Sequence, residues 1–262
     1  MISNLLSLFD AHFHIIERGF PLVPNQGYLP EYFTIDDYKQ QLAPLNIIGG
    51  AVVSGSFQAY DHAYLTQALK TLGPNYVGVM QLHPATDDEQ LKQLNQLGVR
   101  AIRFNLKRLS DTPIDQLCHL ANRVYELLGW HTELYVDSSQ LNTLLPQIAH
   151  LPKVCIDHLG LSKSGFKTTL KMAESGAYLK ASGFSRVDFS VPAALKDLYQ
   201  ANPEGLIFGT DLPGTRAPRG FDLRDYHLIV DGFDQAAAEK ILFKNALTLY
   251  QPIAYPVITT EL

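Results

Sequence analysis

Residues 76–106 read YVGVMQLHPATDDEQLKQLNQLGVRAIRFNL, and this stretch decides the fold. Two short runs of apolar and β-branched residues, 76–83 and 100–106, lie on either side of a segment with helical leucine spacing. In that segment Thr86 and Glu89 have the spacing of a capping box, and Gly98 follows as the residue that ends the helix. The stretch therefore predicts one strand–helix–strand unit.

The same unit recurs along the chain. After a longer first interval, the apolar runs return about every 22 to 31 residues, the length of one strand, one helix and two short loops. Thr112, Pro113 and Gly129 predict the bounds of another helix, and Ser190 and Pro203 those of a third. The eight runs are LFDAHFHI (8–15), GGAVVSG (49–55), YVGVMQLH (76–83), RAIRFNL (100–106), HTELYVD (131–137), KVCIDHLG (153–160), AYLKASG (177–183) and GLIFGTD (205–211).

Eight strand–helix units in about 250 residues match the size of a (β/α)8, or TIM, barrel. An open doubly wound sheet is the alternative, but the chain has neither GxGxxG nor GxxxxGK[ST], the phosphate-binding motifs common in such sheets. We therefore expect residues 1–262 to form a single TIM-barrel domain with a long loop after strand 1. That loop, within 16–48, is rich in Pro, Gly and aromatic residues and has the length of a lid.

Composition excludes several classes of partner. The net charge is −5 and the 21 Lys and Arg residues are scattered, so we expect no nucleic-acid or membrane partner. The N-terminus lacks the basic region of a signal peptide, and no run approaches the roughly 20 apolar residues of a membrane span. Cys118 and Cys155 are too few for a disulfide framework or a cysteine-rich zinc site. A cytoplasmic protein is the expectation.

Polar side chains collect where the strands end. Because catalytic groups of a TIM barrel lie at the carboxyl ends of its strands, these side chains predict one site at that rim. They are His12 and His14 on strand 1, Ser54 and Ser56 on strand 2, Arg103, Asn105 and Arg108 on strand 4, Tyr135 and Asp137 on strand 5, Asp157 and His158 on strand 6, Lys180, Ser182 and Arg186 on or beyond strand 7, and Asp211 on strand 8.

Position within the strands sorts some of these residues. His12 and His14 share a face because side chains alternate along a strand, and strand 8 brings Asp211 opposite them. Arg103 lies inside an otherwise apolar strand, where an unpaired guanidinium is costly, so a specific partner is expected. Asp157 precedes His158 and should point the other way, toward the helices, as a structural residue.

Six motifs, in order, resemble the amidohydrolase superfamily: DAHFH, GVRAIRFNL, GWHTELYVD, IDHLG, LKASG and FGTDLP. The resemblance runs from residue 9 to the terminal AAEKILFKNALTLY and is greatest to the branch that contains 2-pyrone-4,6-dicarboxylate lactonase and sugar-lactone hydrolases. Leu212 and Leu161 depart from the residues common in relatives, and both lie beside the pocket wall, where they bear on the substrate.

The resemblance implies a hydrolase that acts on a carboxylic ester by opening a lactone. Its catalytic residues would be His12, His14, His158 and Asp211, and its substrate-binding residues Arg103, Arg108, Tyr135, Arg186 and Ser56. The arginines favour a small acidic substrate, a pyrone dicarboxylate or a sugar or muconate-type lactone, because guanidinium groups pair with carboxylates. Asp211 would activate water, while a histidine and Tyr135 would stabilise the carbonyl oxygen.

Two other functions stay open from the sequence. One is a metal-dependent amidohydrolase or decarboxylase of the same superfamily that acts on an aromatic or heterocyclic acid. The other is a barrel without catalysis that binds a small acid. Such barrels are commonly dimers, so a homodimer is one expected assembly.

Whether the site holds a metal is a separate question. Many members of the superfamily use the HxH pair and the strand 8 aspartate as ligands of a divalent ion, whereas the pyrone dicarboxylate lactonase works without metal. One Zn²⁺ or Mn²⁺ on His12, His14, His158 and Asp211 is the alternative. We expect no tightly bound ion, because strand 4 offers Arg103 in place of a bridging lysine and strand 5 offers Glu133 or Tyr135 in place of a histidine.

Overall fold

The computed structural model describes residues 5–108 and 112–255. In this part of the chain eight parallel strands pair in sequence order, each with the next, as the repeated unit predicts. The strands are β1 (Ser7–Phe13), β2 (Asn46–Val53), β3 (Tyr76–Met80), β4 (Val99–Asn105), β5 (His131–Tyr135), β6 (Val154–Ile156), β7 (Tyr178–Ala181) and β8 (Leu206–Phe208). The fold is therefore the predicted TIM barrel.

Helices connect successive strands and surround the barrel. They are α1 (Ile35–Gln41), α2 (Ala63–Leu72), α3 (Asp88–Gln96), α4 (Ile114–Leu128), α5 (Leu141–Ile148), α6 (Phe166–Glu174), α7 (Val191–Ala201), α8 (Leu223–Val230), α9 (Gln235–Glu239) and α10 (Asn245–Tyr250). A π-helical turn, Lys240–Lys244, joins the last two. Within the described ranges, no helix has both the length and the apolar character that crossing a bilayer requires.

Two of the predicted helix starts were wrong by one residue. The N-cap of α3 is Asp87, whose carboxylate accepts the Gln90 N–H, because the Thr86 hydroxyl donates instead to the carbonyl of His83. The N-cap of α4 is Pro113 and not Thr112. Ser190 is the N-cap of α7 and Gly129 ends α4 in a left-handed conformation, as predicted. Such shifts of one residue leave the order of the elements unchanged.

Apolar side chains fill the amino-terminal half of the barrel. Phe9, Val53, Val79 and Ile207 are among the buried residues of this inner cluster, and Tyr250 of α10 packs beneath them against the ring of Phe9. The interior above this layer, toward the carboxyl ends of the strands, is lined by polar groups. The barrel is thus a packed core with its chemistry confined to one end.

The barrel is closed by main-chain contacts between β1 and the segment that follows β8. The Asp211 N–H donates to the carbonyl of His12, and the His14 N–H donates to the carbonyl of Leu212, both at 2.7 Å. The approach is close at Gly209, where a Cβ atom would lie 2.7 Å from the His12 nitrogen. Closure therefore brings His12 and Asp211 side by side through their backbones.

Asp10 stabilises the contact between β1 and the segment after β8 from outside the barrel. Its buried carboxylate accepts hydrogen bonds from the Thr210 N–H at 2.8 Å and the Thr210 hydroxyl at 2.7 Å, and the Tyr38 hydroxyl of α1 lies at 3.3 Å. Burial outweighs these hydrogen bonds and raises the pKa of Asp10 to about 6. One carboxyl group thereby links β1, β8 and α1.

A β-bulge turns the two histidines into the barrel. Between Asp10 and Phe13, β1 runs against only Gly50–Val52 of β2, so β1 has one extra residue there. The extra residue reverses the alternation of side chains. Asp10 consequently faces the helices, while the rings of His12 and His14 both face inward with centroids 5.1 Å apart.

The predicted long loop follows β1. Residues 14–34 cross the carboxyl-terminal end of the barrel, where Ile16 pairs with Phe33 and the Val23 N–H donates to the carbonyl of Phe57. Tyr28 at the tip of this loop reaches the cavity described below.

We expect Gly209→Ala to lower the free energy of unfolding by about 3 kcal/mol, because the added methyl group forces β1 away from the end of β8. Urea denaturation followed by circular dichroism measures the change. Gly220→Ala is the control, since its Cβ would meet only the Pro213 carbonyl at an ordinary 3.5 Å. The control should stay within about 1 kcal/mol of the parent. Equal stability of both variants would show that the close approach at Gly209 does not constrain the barrel.

Candidate active site

Two adjoining cavities open at the carboxyl ends of the strands. The inner cavity is narrow, about 30 Å³, and the outer one beside it is about 220 Å³. Ser56, Arg103, Asn105 and Arg108 line both, so the two cavities are adjacent and share one wall. Of the predicted site residues, the inner cavity is lined by His14, Ser56, Arg103, Arg108, Tyr135, His158 and Arg186.

His12 and Asp211 do not line this cavity but lie beside His158, which does. His12 is fully buried and Asp211 is 2% exposed. Asp211 Oδ1 lies 3.9 Å from His12 Nε2 and 3.9 Å from His158 Nε2. Neither Asp211 Oδ1 nor His12 Nε2 has a hydrogen-bond partner. Because buried polar atoms are nearly always paired, these atoms indicate a place for a water molecule or a reacting oxygen.

Left-handed backbone conformations set the direction of several of these side chains. Asp211 has φ +61° and His158 has φ +50°, values that residues with a Cβ adopt at an energetic cost. Gly183 on the β7 loop lies against both side chains, and a Cβ there would be 2.8 Å from Asp211 Oδ2 and His158 Nδ1. The left-handed conformations and the absence of a Cβ at Gly183 together allow the Asp211 carboxylate and the His158 imidazole to approach each other.

The prediction that Asp157 points toward the helices was wrong. Its carboxylate is fully buried inside the barrel, where Oδ2 accepts from Arg103 Nε at 2.9 Å and Nη2 at 2.8 Å. The reason is that Cys155 belongs to the inner cluster and Ile156 to the outer one, so alternation along β6 turns Asp157 inward, and the left-handed conformation at His158 then interrupts the alternation. Alternation stops there, so Asp157 and His158 face the same side.

A buried ion pair in the centre of the barrel had no role in the sequence-based prediction. Lys180 Nζ of β7 donates to Glu133 Oε2 of β5, and both side chains are fully buried. Lys180 Nζ also lies 3.1 Å from His12 Nδ1 and 3.4 Å from Asp157 Oδ1. The signal was available, because each is an ionisable residue in an apolar strand, the same pattern that singled out Arg103.

The four arginines of the site differ in their partners. Arg103 is bound by Asp157 and by the Ser54 carbonyl, and Arg186 Nε donates to Asp211 Oδ2 at 2.6 Å. Arg108 has only the Tyr135 hydroxyl, at 3.5 Å, among the described residues. Arg216, which the sequence analysis missed, lies over the Tyr28 ring and donates to the Asn25 carbonyl. In the described part of the chain, neither Arg108 nor Arg216 is paired with a carboxylate.

Burial lowers the pKa values of His12, His14 and His158 and thereby favours their neutral form. Burial and then the charge of Lys180 lower the pKa of His12. Burial, followed by neighbouring His12 and arginine charges, holds the pKa values of His14 and His158 well below the usual range. Neutral imidazoles offer one N–H donor and one lone pair each, so their tautomers decide what they can do.

Among residues 5–108 and 112–255, two groups of side chains have the spacing of metal ligands. His12, His158 and Asp211 form one, and His12, Glu133 and Asp157 form the other, each with its ligand atoms within 4.8 Å of one another. In the second group both carboxylates already face Lys180, and Asp157 also binds Arg103.

A sequence model of the amidohydrolase family matches residues 9–251. The chain belongs to the amidohydrolase family. The chain is 29% identical over 280 residues to the 2-pyrone-4,6-dicarboxylate hydrolase of Comamonas testosteroni, covering 93% of this chain and 90% of the relative. It is 24% identical over 270 residues to the 4-sulfomuconolactone hydrolase of Rhizobium radiobacter, covering 92% and 89%.

Solved structures agree with this assignment. A crystal structure from Pseudomonas putida, attributed to a 2-pyrone-4,6-dicarboxylic acid hydrolase, superposes with a TM-score of 0.80 at 26% identity and covers 94% of this amidohydrolase and 98% of that chain. A second, from Acinetobacter baumannii, has a TM-score of 0.81 at 22% identity over 93% and 99% of the two chains, and shows the same fold.

Proposed function

We propose that this amidohydrolase opens the ring of a lactone that carries carboxylate groups. The observation that carries the proposal is the unpartnered, buried pair of Asp211 Oδ1 and His12 Nε2 beside a cavity lined with arginines. Relatives named for hydrolysis of a pyrone dicarboxylate and of a sulfomuconolactone support it. Both names describe cyclic esters with anionic substituents.

Asp211 is the general base in this proposal. Arg186 holds Oδ2, which leaves Oδ1 free to take a proton from a water molecule. The water oxygen then bonds to the lactone carbonyl carbon, and negative charge develops on the carbonyl oxygen. When the ring C–O bond breaks, Asp211 returns the proton to the leaving oxygen, giving a hydroxyl group and a carboxylic acid, which then ionises to a carboxylate and releases a proton to solvent. General-base assistance of this kind contributes about 10² to 10⁴ in rate.

Histidine and tyrosine donors stabilise the carbonyl oxygen. His158 and Tyr135 line the inner cavity, and the His12 ring lies against the His158 ring with centroids 4.8 Å apart. The His158 and Tyr135 rings are in edge-to-face contact with centroids 5.5 Å apart, so both side chains border the same part of the cavity. One well-placed donor to such an oxygen is worth about 10² to 10³ in kcat.

Arg108 and Arg216, which pair with no carboxylate among the described residues, select the substrate. Arg108 and Arg216 are close enough that the charge of Arg108, after burial, lowers the pKa of Arg216. Two cations that repel one another favour an anion between them, and a guanidinium binds a carboxylate through two parallel hydrogen bonds. Arg103, Ser56 and Asn105 complete the polar wall where the inner and outer cavities join.

The site residues do not fit a tightly bound divalent metal ion. Asp211 is already paired with Arg186, and Lys180 places an ammonium group against His12. Each buried carboxylate of the site faces a cation, so a further double positive charge would be uncompensated in a region of low dielectric. The proposed hydrolysis therefore relies on the side chains alone.

Lactone hydrolysis is tested with a panel of carboxylated and neutral lactones, followed by proton release. We expect turnover of carboxylated lactones, and we expect Asp211→Asn to lower kcat by about 10² to 10⁴. Asp88→Asn, in an exposed pair with Arg123, is the control. Release of carbon dioxide or ammonia without lactone turnover would favour a decarboxylase or amidohydrolase, and an Asp211→Asn variant with the kcat of the parent would remove the general base.

Substrate charge is tested at Arg108 and Arg216. Replacing either with Met should raise KM for a dicarboxylated lactone about 10- to 100-fold, because a hydrogen bond to a charged group contributes about 1.5–3 kcal/mol. We expect kcat to change less than about 3-fold, since neither residue touches the reacting carbonyl in this mechanism. Steady-state kinetics with a neutral lactone is the control. An equal rise of KM for both substrates would contradict the carboxylate role.

Metal independence is tested by elemental analysis and chelation. We expect substoichiometric zinc and manganese in the purified protein, and unchanged kcat after dialysis against a chelator. The dialysed protein with added Zn²⁺ or Mn²⁺ is the comparison. Stoichiometric metal whose removal abolishes turnover, and whose return restores it, would show that the charge argument is wrong.

A further inference from the structure

Lys180 lies inside the barrel below the proposed reacting atoms. Its ammonium group is fully buried and contacts three side chains, Glu133, Asp157 and His12. Burial alone would lower the pKa of Lys180, but Glu133 and Asp157 outweigh burial and raise it, so the group stays charged. This buried ammonium group does not line the cavity.

The contact with His12 determines where that ring carries its proton. Lys180 Nζ lies 3.1 Å from His12 Nδ1 in hydrogen-bonding geometry. An ammonium group can only donate, so Nδ1 must accept. A neutral imidazole that accepts at Nδ1 carries its hydrogen on Nε2. His12 Nε2 is the unpartnered atom that faces Asp211.

Asp157 is the competing partner for His12 Nδ1, and the geometry disfavours it. Asp157 Oδ1 is 3.4 Å from Nδ1, farther than Lys180 Nζ at 3.1 Å, and the charge of this oxygen is already balanced by Lys180 Nζ at 3.4 Å. Its other oxygen is held by two nitrogens of Arg103. The nearer, better aligned Lys180 therefore decides the tautomer.

The neighbouring histidines are not held in this way. His14 Nδ1 lies 2.7 Å from the Val53 carbonyl oxygen, which can only accept, so the His14 hydrogen is on Nδ1 and its Nε2 offers a lone pair. His158 Nδ1 is 2.9 Å from the Ser182 hydroxyl, which can either donate or accept. His12 is thus the ring whose surroundings require an Nε2–H donor.

We propose that Lys180 is a positioning residue that holds His12 with its proton on Nε2, which makes His12 the donor to the lactone carbonyl oxygen. The role of the donor rests on the proposed lactone hydrolysis, whereas the tautomer rests on the contacts alone. The same arrangement agrees with the poor fit of a metal, because an imidazole nitrogen that carries a hydrogen has no lone pair for an ion.

The tautomer is measured in the ligand-free protein by long-range ¹H–¹⁵N correlation spectra of ¹⁵N-histidine-labelled enzyme. The His12 signals are identified as those absent from a His12→Gln variant. We expect His12 to show a protonated Nε2 and an unprotonated Nδ1, and His14 to show the reverse. A parent spectrum with the His12 proton on Nδ1 would overturn the proposal.

The role of Lys180 is isolated by comparing Lys180→Met/Glu133→Gln with Glu133→Gln. Both variants lack the Glu133 charge, and the double variant leaves no unpaired carboxylate at that position, which favours folding. We expect the double variant to move the His12 proton to Nδ1 and to lower kcat by about 10² to 10³ relative to Glu133→Gln, with KM changed less than about 3-fold.

The outcomes separate this inference from the proposed function. A double variant that keeps the Nε2 proton, or that keeps the kcat of Glu133→Gln, would reduce Lys180 to a structural cation. If the parent shows the expected tautomer but hydrolyses no lactone, the proposed function fails while the assignment of the proton stands. If the parent hydrolyses lactones with the His12 proton on Nδ1, only this inference fails.

Discussion

The backbone pairing of β1 with the end of β8 is the constraint on which the site depends. The Asp211 N–H binds the His12 carbonyl, so the carboxylate and the imidazole start from neighbouring points of the same seam. Gly209 permits the approach and Asp10 secures it from outside. The geometry of the proposed base and donor is therefore a property of barrel closure, and flexible loops are not needed to bring the two together. Sites built on strands in this way hold their side chains more precisely than sites built on loops.

Charge balance explains how so polar a centre can be buried. Asp157 is matched by Arg103, Glu133 by Lys180 and Asp211 by Arg186. Desolvation of such pairs offsets much of their attraction, so they add little net stability, and loss of one partner is costly. Their value lies in orientation. Each cation binds one oxygen of its carboxylate and thereby fixes the orientation of that side chain. A preorganised site requires side chains that are fixed in this way.

The sequence was sufficient to predict the barrel and most of the side chains at its rim, because both follow from the spacing of the apolar runs and the order of the strands. Eight apolar runs predict eight strands, and strand ends predict where His14, His158 and Arg186 meet. It was not sufficient where the backbone leaves the regular pattern. The left-handed turn at His158 brings its ring to the same side as Asp157, and no local motif predicts this turn. Arg216 was missed because its partner, Asn25, is 191 residues away on another loop. Lys180 was recognised as a polar residue of strand 7, but its contact with His12 depends on the barrel radius.

The HxH motif alone does not determine whether such a site binds metal. A histidine that ligates a metal donates its other N–H to a carbonyl or carboxylate, which leaves a lone pair on the ligating nitrogen. His14 has that arrangement through the Val53 carbonyl, whereas His12 has an ammonium group in the corresponding place. The first histidine is consequently a donor and the second an acceptor, although the two look equivalent in the sequence. The residue of β7 that contacts His12 Nδ1 then decides whether His12 Nε2 is a hydrogen-bond donor or a metal ligand. A chain with a carboxylate or amide oxygen at the position of Lys180 would free His12 Nε2 for an ion.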